Sequence, residues 1–355
     1  MDRLVGPCVI ALFLAVICGS ALWAWEGPGP NAKKEFITWD KLKNPILGYQ
    51  DWSIKDCCAV YRKGVFYVFF SAMYEDGGVM RFHVVEVSTR DFKTYSKPIL
   101  NFSGKEEGFI GMASPDVQRI GKTYYMTFNS WGYDKQRPDA LFCMESKNLV
   151  HWGPRKPLAA NLTVGVQAID AAITRHKSRF YLIYQGDDSK KPHMCTAPAI
   201  DGPWTFVGSA GQIKWLLPDG KESPRAHENF EFMKIDGRWR LISSDYMPHH
   251  AWIYTMHGSG DKPEDWLLWE NGTNLGTPKE DWNTVDVDNG GAVSDWREYD
   301  GHFYLIYGGS GEYRKGEFVG PGSHRPWPRG WNRLGLARSK DLVHWEIPKG
   351  AQGKE

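Results

Sequence analysis

A hairpin pattern that recurs five times along the chain limits the fold more than any other feature. Each copy begins with a glycine or serine in a turn and continues into a strand rich in tyrosine, phenylalanine and isoleucine, which is typical of a β-hairpin. Aligned on their fourth residue, the copies fall at positions 67, 124, 181, 240 and 304, in steps of 57, 57, 59 and 64 residues. Repeats of nearly constant length indicate a repeat architecture, so the chain is built from five units of similar size.

Each unit predicts four strands. After the hairpin, a third strand ends in a serine or threonine followed by an aspartate or asparagine and an aromatic residue, as in residues 88–95, 145–152 and 337–345. Outside the N-terminal segment, no long stretch has apolar residues at helical spacing. A four-stranded repeat of this length is one blade of a β-propeller, whereas β-solenoid repeats are shorter and a β-sandwich does not repeat one hairpin five times. We therefore predict an all-β, five-bladed β-propeller with four antiparallel strands per blade.

The first 24 residues have the composition of an export signal. Arg3 precedes an apolar run from Leu4 to Ala24, and cleavage after Ala21 or Ala24 fits the preference for small residues. A run of this length could also remain as an uncleaved anchor. We expect residues 1–24 to be a signal peptide or N-terminal anchor, 25–44 an N-terminal extension and 45–355 a single propeller domain, in a secreted or periplasmic protein.

Charge and cysteine content exclude several classes of partner. The chain has 43 Lys and Arg against 42 Asp and Glu, for a net charge of +1, which gives no field suited to nucleic acid or an anionic membrane surface. The chain has 17 tryptophans. We expect most of them to pack in a β-rich core and some to stack on sugar rings. Four cysteines lie beyond the N-terminal segment, and their spacing is not that of metal ligands. They could form a disulfide or remain as buried free thiols. These residues are Cys57, Cys58, Cys143 and Cys195. We expect a monomer without a cofactor.

Three acidic residues stand at matching places ahead of the hairpins. Asp56 and Asp170 lie 11 residues before positions 67 and 181, and Glu228 lies 12 before position 240. The innermost strands of a propeller line its central channel, so these side chains should converge. Glycoside hydrolysis requires one protonated carboxyl and one carboxylate, and a third carboxylate raises the pKa of the proton donor by like-charge repulsion. The alternative for any one of them alone is a structural role in a turn.

Four segments of the chain resemble glycoside hydrolase family 43 and its clan relative family 62, which contain five-bladed arabinofuranosidases, xylosidases and arabinanases. They are residues 55–64 (KDCCAVYRKG), 114–117 (SPDV), 169–173 (IDAAI) and 228–237 (ENFEFMKIDG). The resemblance implies an inverting glycosidase with Asp56 as general base, Glu228 as general acid and Asp170 tuning the pKa of the acid. Glu231 is the less favoured acid, because on a regular strand it would face away from Glu228, toward the blade interior or solvent.

Two departures separate this chain from the family pattern. Cys57 follows the base where the family usually has proline, and residues 287–292 (VDNGGA) lack the histidine that many members place in blade 5 beside a calcium ion or water cluster. A calcium ion in the central channel is therefore an unsupported alternative to the absence of a cofactor. Two other functions remain open: a non-catalytic carbohydrate-binding propeller, and a glycoside phosphorylase, which would need a basic cluster beside the acid.

Residues near the three acids are candidates for binding an oligosaccharide or polysaccharide. Core packing is the alternative for the tryptophans and surface placement is the alternative for the three residues that flank Glu228. His249 and His250 follow the fourth hairpin on an expected rim loop and are weak evidence for a metal. The substrate-binding candidates are Asp116, Trp52, Trp131, Arg225, His227, Phe230 and Asn289.

Overall fold

Five sheets with almost entirely antiparallel pairing make up the described part of the chain, one for each sequence repeat, which confirms the predicted five-bladed propeller. The computed structural model describes residues 36–350 apart from 133–139, 164, 187–190, 209–211, 246–248 and 313–328. The predicted export signal lies outside the described residues. Helices are short: α1 (Ala160–Thr163), α2 (Arg297–Asp300) and three 3₁₀ helices at Trp39–Lys41, Lys105–Glu107 and Pro263–Leu267.

The strands of each blade follow chain order from the central channel outward. Blade 1 contains β1 (Ser53–Arg62), β2 (Val65–Asp76), β3 (Val79–Thr89) and β4 (Leu100–Phe102). Blade 2 contains β5 (Gly111–Ile120), β6 (Thr123–Trp131), β7 (Leu141–Ser146) and β8 (Lys156–Pro157). Blade 3 contains β9 (Ala168–His176), β10 (Arg179–Gly186), β11 (Pro192–Ala197) and β12 (Thr205–Gly208).

Blade 4 differs from the four-stranded pattern by one short strand at its outer edge. Here β13 (Lys214–Trp215) pairs in parallel with the outermost strand, β17. The antiparallel strands are β14 (His227–Ile235), β15 (Arg238–Asp245), β16 (Ala251–Met256) and β17 (Leu268–Asn274). Blade 5 contains β18 (Asp286–Asp295), β19 (Phe303–Ser310), β20 (Asn332–Ser339) and β21 (Trp345–Glu346).

The repeated motif at the end of the third strand forms a hydrogen-bonded turn. In blade 1, the Thr89 hydroxyl accepts the backbone N–H groups of Asp91 and Phe92 at 3.2 and 2.9 Å. The Asp91 carboxylate then accepts the N–H groups of Lys93 and Thr94, both at 2.9 Å. Such side-chain caps satisfy backbone donors that the sheet leaves unpaired. The same turn recurs around Ser146 with Asn148, and around Ser339 with Asp341.

The segment before blade 1 closes the ring by binding blade 5. Asn44 donates to the Tyr307 hydroxyl at 3.0 Å and to the Leu336 carbonyl at 3.1 Å, and it accepts the Leu336 N–H at 2.9 Å. Ser53 at the start of β1 hydrogen-bonds Asn332 at the start of β20, at 2.9 Å. Since Asn44 is buried, these bonds are shielded from water and hold the first and last blades together.

The cysteines beyond the N-terminal segment are buried and unpaired, so of the two alternatives left open by the sequence the structure has free thiols. Burial raises the pKa of all four, as for Cys195, whose pKa rises to about 12. In the part of the chain that the structure describes, no helix has the length and apolar character needed to cross a bilayer.

Candidate active site

A β-bulge at the same place in each innermost strand shapes the central channel. The ladder shifts register at this point in every blade. One residue at each bulge has a left-handed backbone, which is uncommon for residues other than glycine and is often found near functional sites. A bulge adds one residue to the strand, so it changes which side chains face the channel. The bulge residues are Asp56, Ser114, Asp170, Asn229 and Gly290.

The structure brings the three predicted catalytic carboxylates around one lysine. Asp56 and Asp170 occupy equivalent bulges in blades 1 and 3, and Glu228 directly precedes the bulge residue of blade 4. The Lys55 ammonium lies 3.3 Å from Asp56 Oδ1 and is within electrostatic reach of Glu228 and Asp170. Carboxylates from three blades therefore converge at one end of the channel.

Lys55 is a site residue that the sequence reasoning missed. Burial on its own would lower the pKa of Lys55, but the charges of Asp56, Glu228 and Asp170 outweigh burial and hold this pKa above its usual range. Lys55 is thus a permanent cation among the three acids. Its place directly before the candidate base was the available signal, but the bulge that turns both side chains toward the acids is not visible in the sequence.

Asp170 has the electrostatic environment expected of a modulating carboxyl. Burial and then the negative charge of Asp56 raise the pKa of Asp170 to about 6, against the opposing effects of Ser114, Lys55 and the Asn229 N–H. The Asn229 N–H donates to Asp170 Oδ2 at 3.4 Å. This bond ties Asp170 to the residue that follows Glu228, so the backbone next to Glu228 is held in place relative to Asp170.

Glu228 lies beside a histidine that a second carboxylate holds. His249 Nε2 is 3.9 Å from Glu228 Oε1, and His249 Nδ1 is 2.7 Å from Asp286 Oδ1. Asp286 also accepts a hydrogen bond of 2.7 Å from the Ser310 hydroxyl. The sequence reasoning placed His249 only on a rim loop, because nothing in the sequence connects that loop with the start of blade 5.

Glu231 faces the channel, and the expectation that it faces the blade interior or solvent is wrong. The bulge at Asn229 shifts the alternation of β14, so Glu231 lies on the same side as Glu228 but deeper. Its Oε2 accepts the Val293 N–H of blade 5 at 2.7 Å, and it lines a small axial cavity together with Asp116.

The pair of Asp116 and Glu231 forms a second, deeper layer of acids. Burial raises the pKa of Asp116 to about 8, against hydrogen bonds from the Gln118 side chain and the Val117 backbone. Burial and the charge of Asp116 raise the pKa of Glu231 as well. Asp116 lies two residues past Ser114, the bulge residue of blade 2. Burial thus favours the protonated form of both acids.

Both aromatic candidates contact other aromatic rings. Trp52 stacks on Tyr74 with ring centroids 4.5 Å apart, and Tyr74 stacks on His83 at 4.3 Å. Trp131 packs against Phe82 with centroids 5.6 Å apart. Trp52 and Trp131 are both half-buried, so each packs on one side, and their sugar-binding roles stay predictions.

The candidates that flank Glu228 lie in different surroundings. His227 is buried, with its ring nitrogens 3.0 Å from the hydroxyls of Ser243 and Tyr254, and burial lowers its pKa to about 4. Phe230 is likewise buried, and its ring faces Trp215. Neither is on the surface, and the engaged ring of His227 favours a structural role.

Arg225 and Asn289 complete the predicted set. Arg225 is partly exposed, and its guanidinium lies 3.7 Å from Asp245 Oδ2. Asn289 is buried on β18, next to the bulge of blade 5. Among the described residues, no group of three or more His, Cys, Asp or Glu side chains is arranged to hold a metal ion. Within the described part of the chain, the site brings carboxyls together with Lys55 and His249.

Gly290 should be essential for the position of Asp56. A Cβ at this glycine would lie 2.9 Å from both the Cα and the Oδ1 of Asp56, and φ is +54°. Gly290→Ala is therefore expected to displace Asp56 and to lower kcat/KM about 100-fold, since misplacement by about 1 Å can cost that much. The variant should be assayed on any substrate that the wild type cleaves.

Gly220 provides the matched control for backbone strain. Its φ is +79°, and a Cβ there would contact nothing within 4 Å. Gly220→Ala carries a similar conformational penalty but should keep the wild-type kcat/KM. Equal activity in the two variants would show that the contact between Gly290 and Asp56 does not matter for turnover.

Solved structures of glycosyl hydrolases share this fold. The model of the glycosyl hydrolases family 43 matches residues 110–217, which include Asp116 and Asp170. No curated protein sequence matches the chain. The solved structure of a glycosyl hydrolase from Bacteroides ovatus resembles this one with a TM-score of 0.57 at 12% sequence identity, over 88% of this chain and 96% of that one.

Two further structures have the same fold. A family 43 enzyme from Xanthomonas citri, solved with xylotriose, has a TM-score of 0.56 at 13% identity over 89% of this chain and 95% of that one. A β-xylosidase has a TM-score of 0.55 at 15% identity, over 86% of this chain and 98% of its own. At these identities the structural likeness establishes the shared propeller fold, and the family model adds the sequence signature. Together they confirm the resemblance to glycoside hydrolase family 43 and class the protein as a glycosidase.

Proposed function

We propose that the protein is an inverting glycosidase in which Asp56 is the general base, Glu228 the general acid and Asp170 the residue that tunes the acid. The observation that carries the proposal is the convergence of these carboxyls from blades 1, 3 and 4 around Lys55. Such a site can supply both a proton donor and a base across one glycosidic bond.

The surroundings of each carboxyl support its proposed role. The Lys55 ammonium lies 3.3 Å from Asp56 Oδ1, so a cation stands beside the carboxylate that is proposed to accept a proton from water. Glu228 is half-buried, and the N–H of the next residue, Asn229, donates to Asp170, the carboxyl that is proposed to tune the acid. In the single-displacement reaction, Glu228 protonates the leaving oxygen while Asp56 deprotonates a water on the opposite face of the sugar. We expect the two carboxyls to be separated by about 6.5–9.5 Å for that water.

We further propose pentose-containing oligosaccharides or polysaccharides as substrates, with arabinofuranosides and xylosides first. The support is the resemblance to the family and the half-buried aromatic array of Trp52 and Tyr74, which suits stacking on an apolar sugar face. A carbohydrate-binding protein without catalysis would not require a lysine-paired base next to a buried modulating carboxyl.

Product stereochemistry tests the mechanism. The purified protein would be incubated with aryl α-L-arabinofuranosides, aryl β-D-xylosides and arabinose-decorated xylo-oligosaccharides, and the first-formed anomer followed by proton NMR. We expect α-xylose from a β-xyloside or β-arabinofuranose from an α-arabinofuranoside, formed before mutarotation. Retention of the anomeric configuration would contradict the single-displacement mechanism. Sugar binding without release from any substrate would indicate a binding protein.

A further inference from the structure

A loop between β15 and β16 brings His249 against the proposed acid. His249 Nε2 lies at ion-pair distance from Glu228 Oε1, 3.9 Å, while Nδ1 contacts Asp286 Oδ1 at 2.7 Å. The two ring nitrogens thus connect a carboxyl of blade 4 with a carboxylate of blade 5. An ionised Asp286 has no proton to donate, so Nδ1 of His249 carries the proton of this hydrogen bond and donates it to Asp286.

The surroundings of Asp286 favour its ionised form. It is buried, and although burial acts to raise its pKa, the hydrogen bond and charge of His249, the Ser310 hydroxyl and the charge of Lys55 together lower it. An ionised Asp286 fixes the orientation of the imidazole ring and its tautomer. In this orientation the Nε2 of His249 faces Glu228 Oε1.

The next residue anchors the loop in the same way. His250 Nδ1 lies 3.2 Å from Asp288 Oδ1, and the His250 N–H donates to Asp245 at 2.7 Å. Asp286 and Asp288 are two residues apart on β18, so each can hold one of the two histidines. His249 itself has φ +62°, a backbone conformation that persists only where the surroundings impose it.

We infer that His249, held by Asp286, is a positioning residue that orients Glu228 and returns a proton to it between turnovers. This inference rests on the proposed function. In each turnover Glu228 loses a proton to the leaving oxygen, and Asp56 gains one from water. Imidazolium His249 then donates its Nε2 proton to the Glu228 carboxylate and regains one from solvent, while Asp56 releases its proton to solvent. The cycle is balanced without any other reactant.

Leaving groups of different acidity test this role. A 2,4-dinitrophenyl glycoside departs without protonation, whereas a methyl glycoside or an oligosaccharide needs the acid. His249→Asn keeps an amide near the Nδ1 position but removes Nε2. We expect its kcat to fall at least about 10-fold on the unactivated substrate and to stay within about 3-fold of wild type on the dinitrophenyl glycoside. His249→Gln, which places an amide near the Nε2 position, should recover part of the loss.

Three comparisons make the result decisive. His257→Asn, on the exposed end of blade 4, should match wild type on both substrates. Combining His249→Asn with Glu228→Gln should add no loss beyond that of Glu228→Gln alone, because both act through one proton transfer. An equal loss on both substrates, or no loss, would overturn the role of His249. If Glu228→Gln were itself fully active on the unactivated substrate, the proposed function would fail instead.

Discussion

Replacing Glu228 with glutamine should lower kcat on an unactivated glycoside by about 10²–10⁴-fold, the range typical of a lost general acid. Glutamine is nearly isosteric with glutamate but cannot transfer a proton to the leaving oxygen. The loss should shrink strongly on a 2,4-dinitrophenyl glycoside, because that leaving group departs as an anion. Steady-state kinetics on the two substrates, with thermal denaturation to verify folding, measure the effect.

Glu231→Gln is the matched control for this variant. Glu231 is three residues along the same strand and belongs to the deeper acid layer with Asp116. Since burial and Asp116 already raise its pKa, a neutral amide resembles its protonated form, and activity should remain within about 10-fold of wild type. If Glu231→Gln abolished turnover while Glu228→Gln did not, the general acid would be Glu231.

Replacing Lys55 with methionine should give the second large effect, concentrated at acidic pH. The Lys55 charge lowers the pKa of Asp170, which is about 6, and removing that charge raises it toward neutral pH. Asp170 is then protonated at a higher pH. Because its proposed role requires the ionised form, the acid limb of the kcat/KM profile should shift to higher pH. A shift of one unit means about a 10-fold loss on the acid limb, with a smaller loss at pH 8. The pH profiles of variant and wild type measure this shift.

Lys55→Arg separates charge from packing. Arginine keeps the positive charge beside Asp56, so its acid limb should stay near the wild-type position even if kcat falls. Lys55→Met also removes a partner from a buried ion pair, which commonly destabilises a protein, so thermal denaturation must accompany the kinetics. An unshifted acid limb in a folded Lys55→Met protein would mean that Lys55 does not set the protonation of this site.

The repeat predicted the five-bladed architecture. It predicted the positions of the acidic residues along the channel only in part. Matching offsets before the hairpins identified Asp56, Asp170 and Glu228, because a propeller places equivalent positions around one axis. The offsets could not reveal the bulges, since a residue such as Asp56 or Asn229 adopts a left-handed backbone only when the surrounding blades impose it. For the same reason the orientation of Glu231 was wrongly expected.

Contacts between blades were the other feature hidden from the sequence. His249 and Asp286 are far apart in the chain and meet only because the loop of blade 4 reaches the first residue of blade 5. The sequence showed that Lys55 is a cation, but it did not show that Lys55 interacts with three acids. His227 looked accessible because it neighbours Glu228, yet strand alternation turns its ring into the blade, where Ser243 and Tyr254 bind it.

The five equivalent bulges also have an evolutionary consequence. Two of them hold carboxylates, Asp56 and Asp170, while the others hold Ser114, Asn229 and Gly290. Ser114 and Asn229 have the same left-handed backbone as the two aspartates, so one substitution could add a carboxylate there without a change of fold, whereas a side chain at Gly290 would collide with Asp56. The ring thus offers rotated versions of one catalytic arrangement, and a duplicated gene could explore new directions of substrate entry by relocating its acids around the axis.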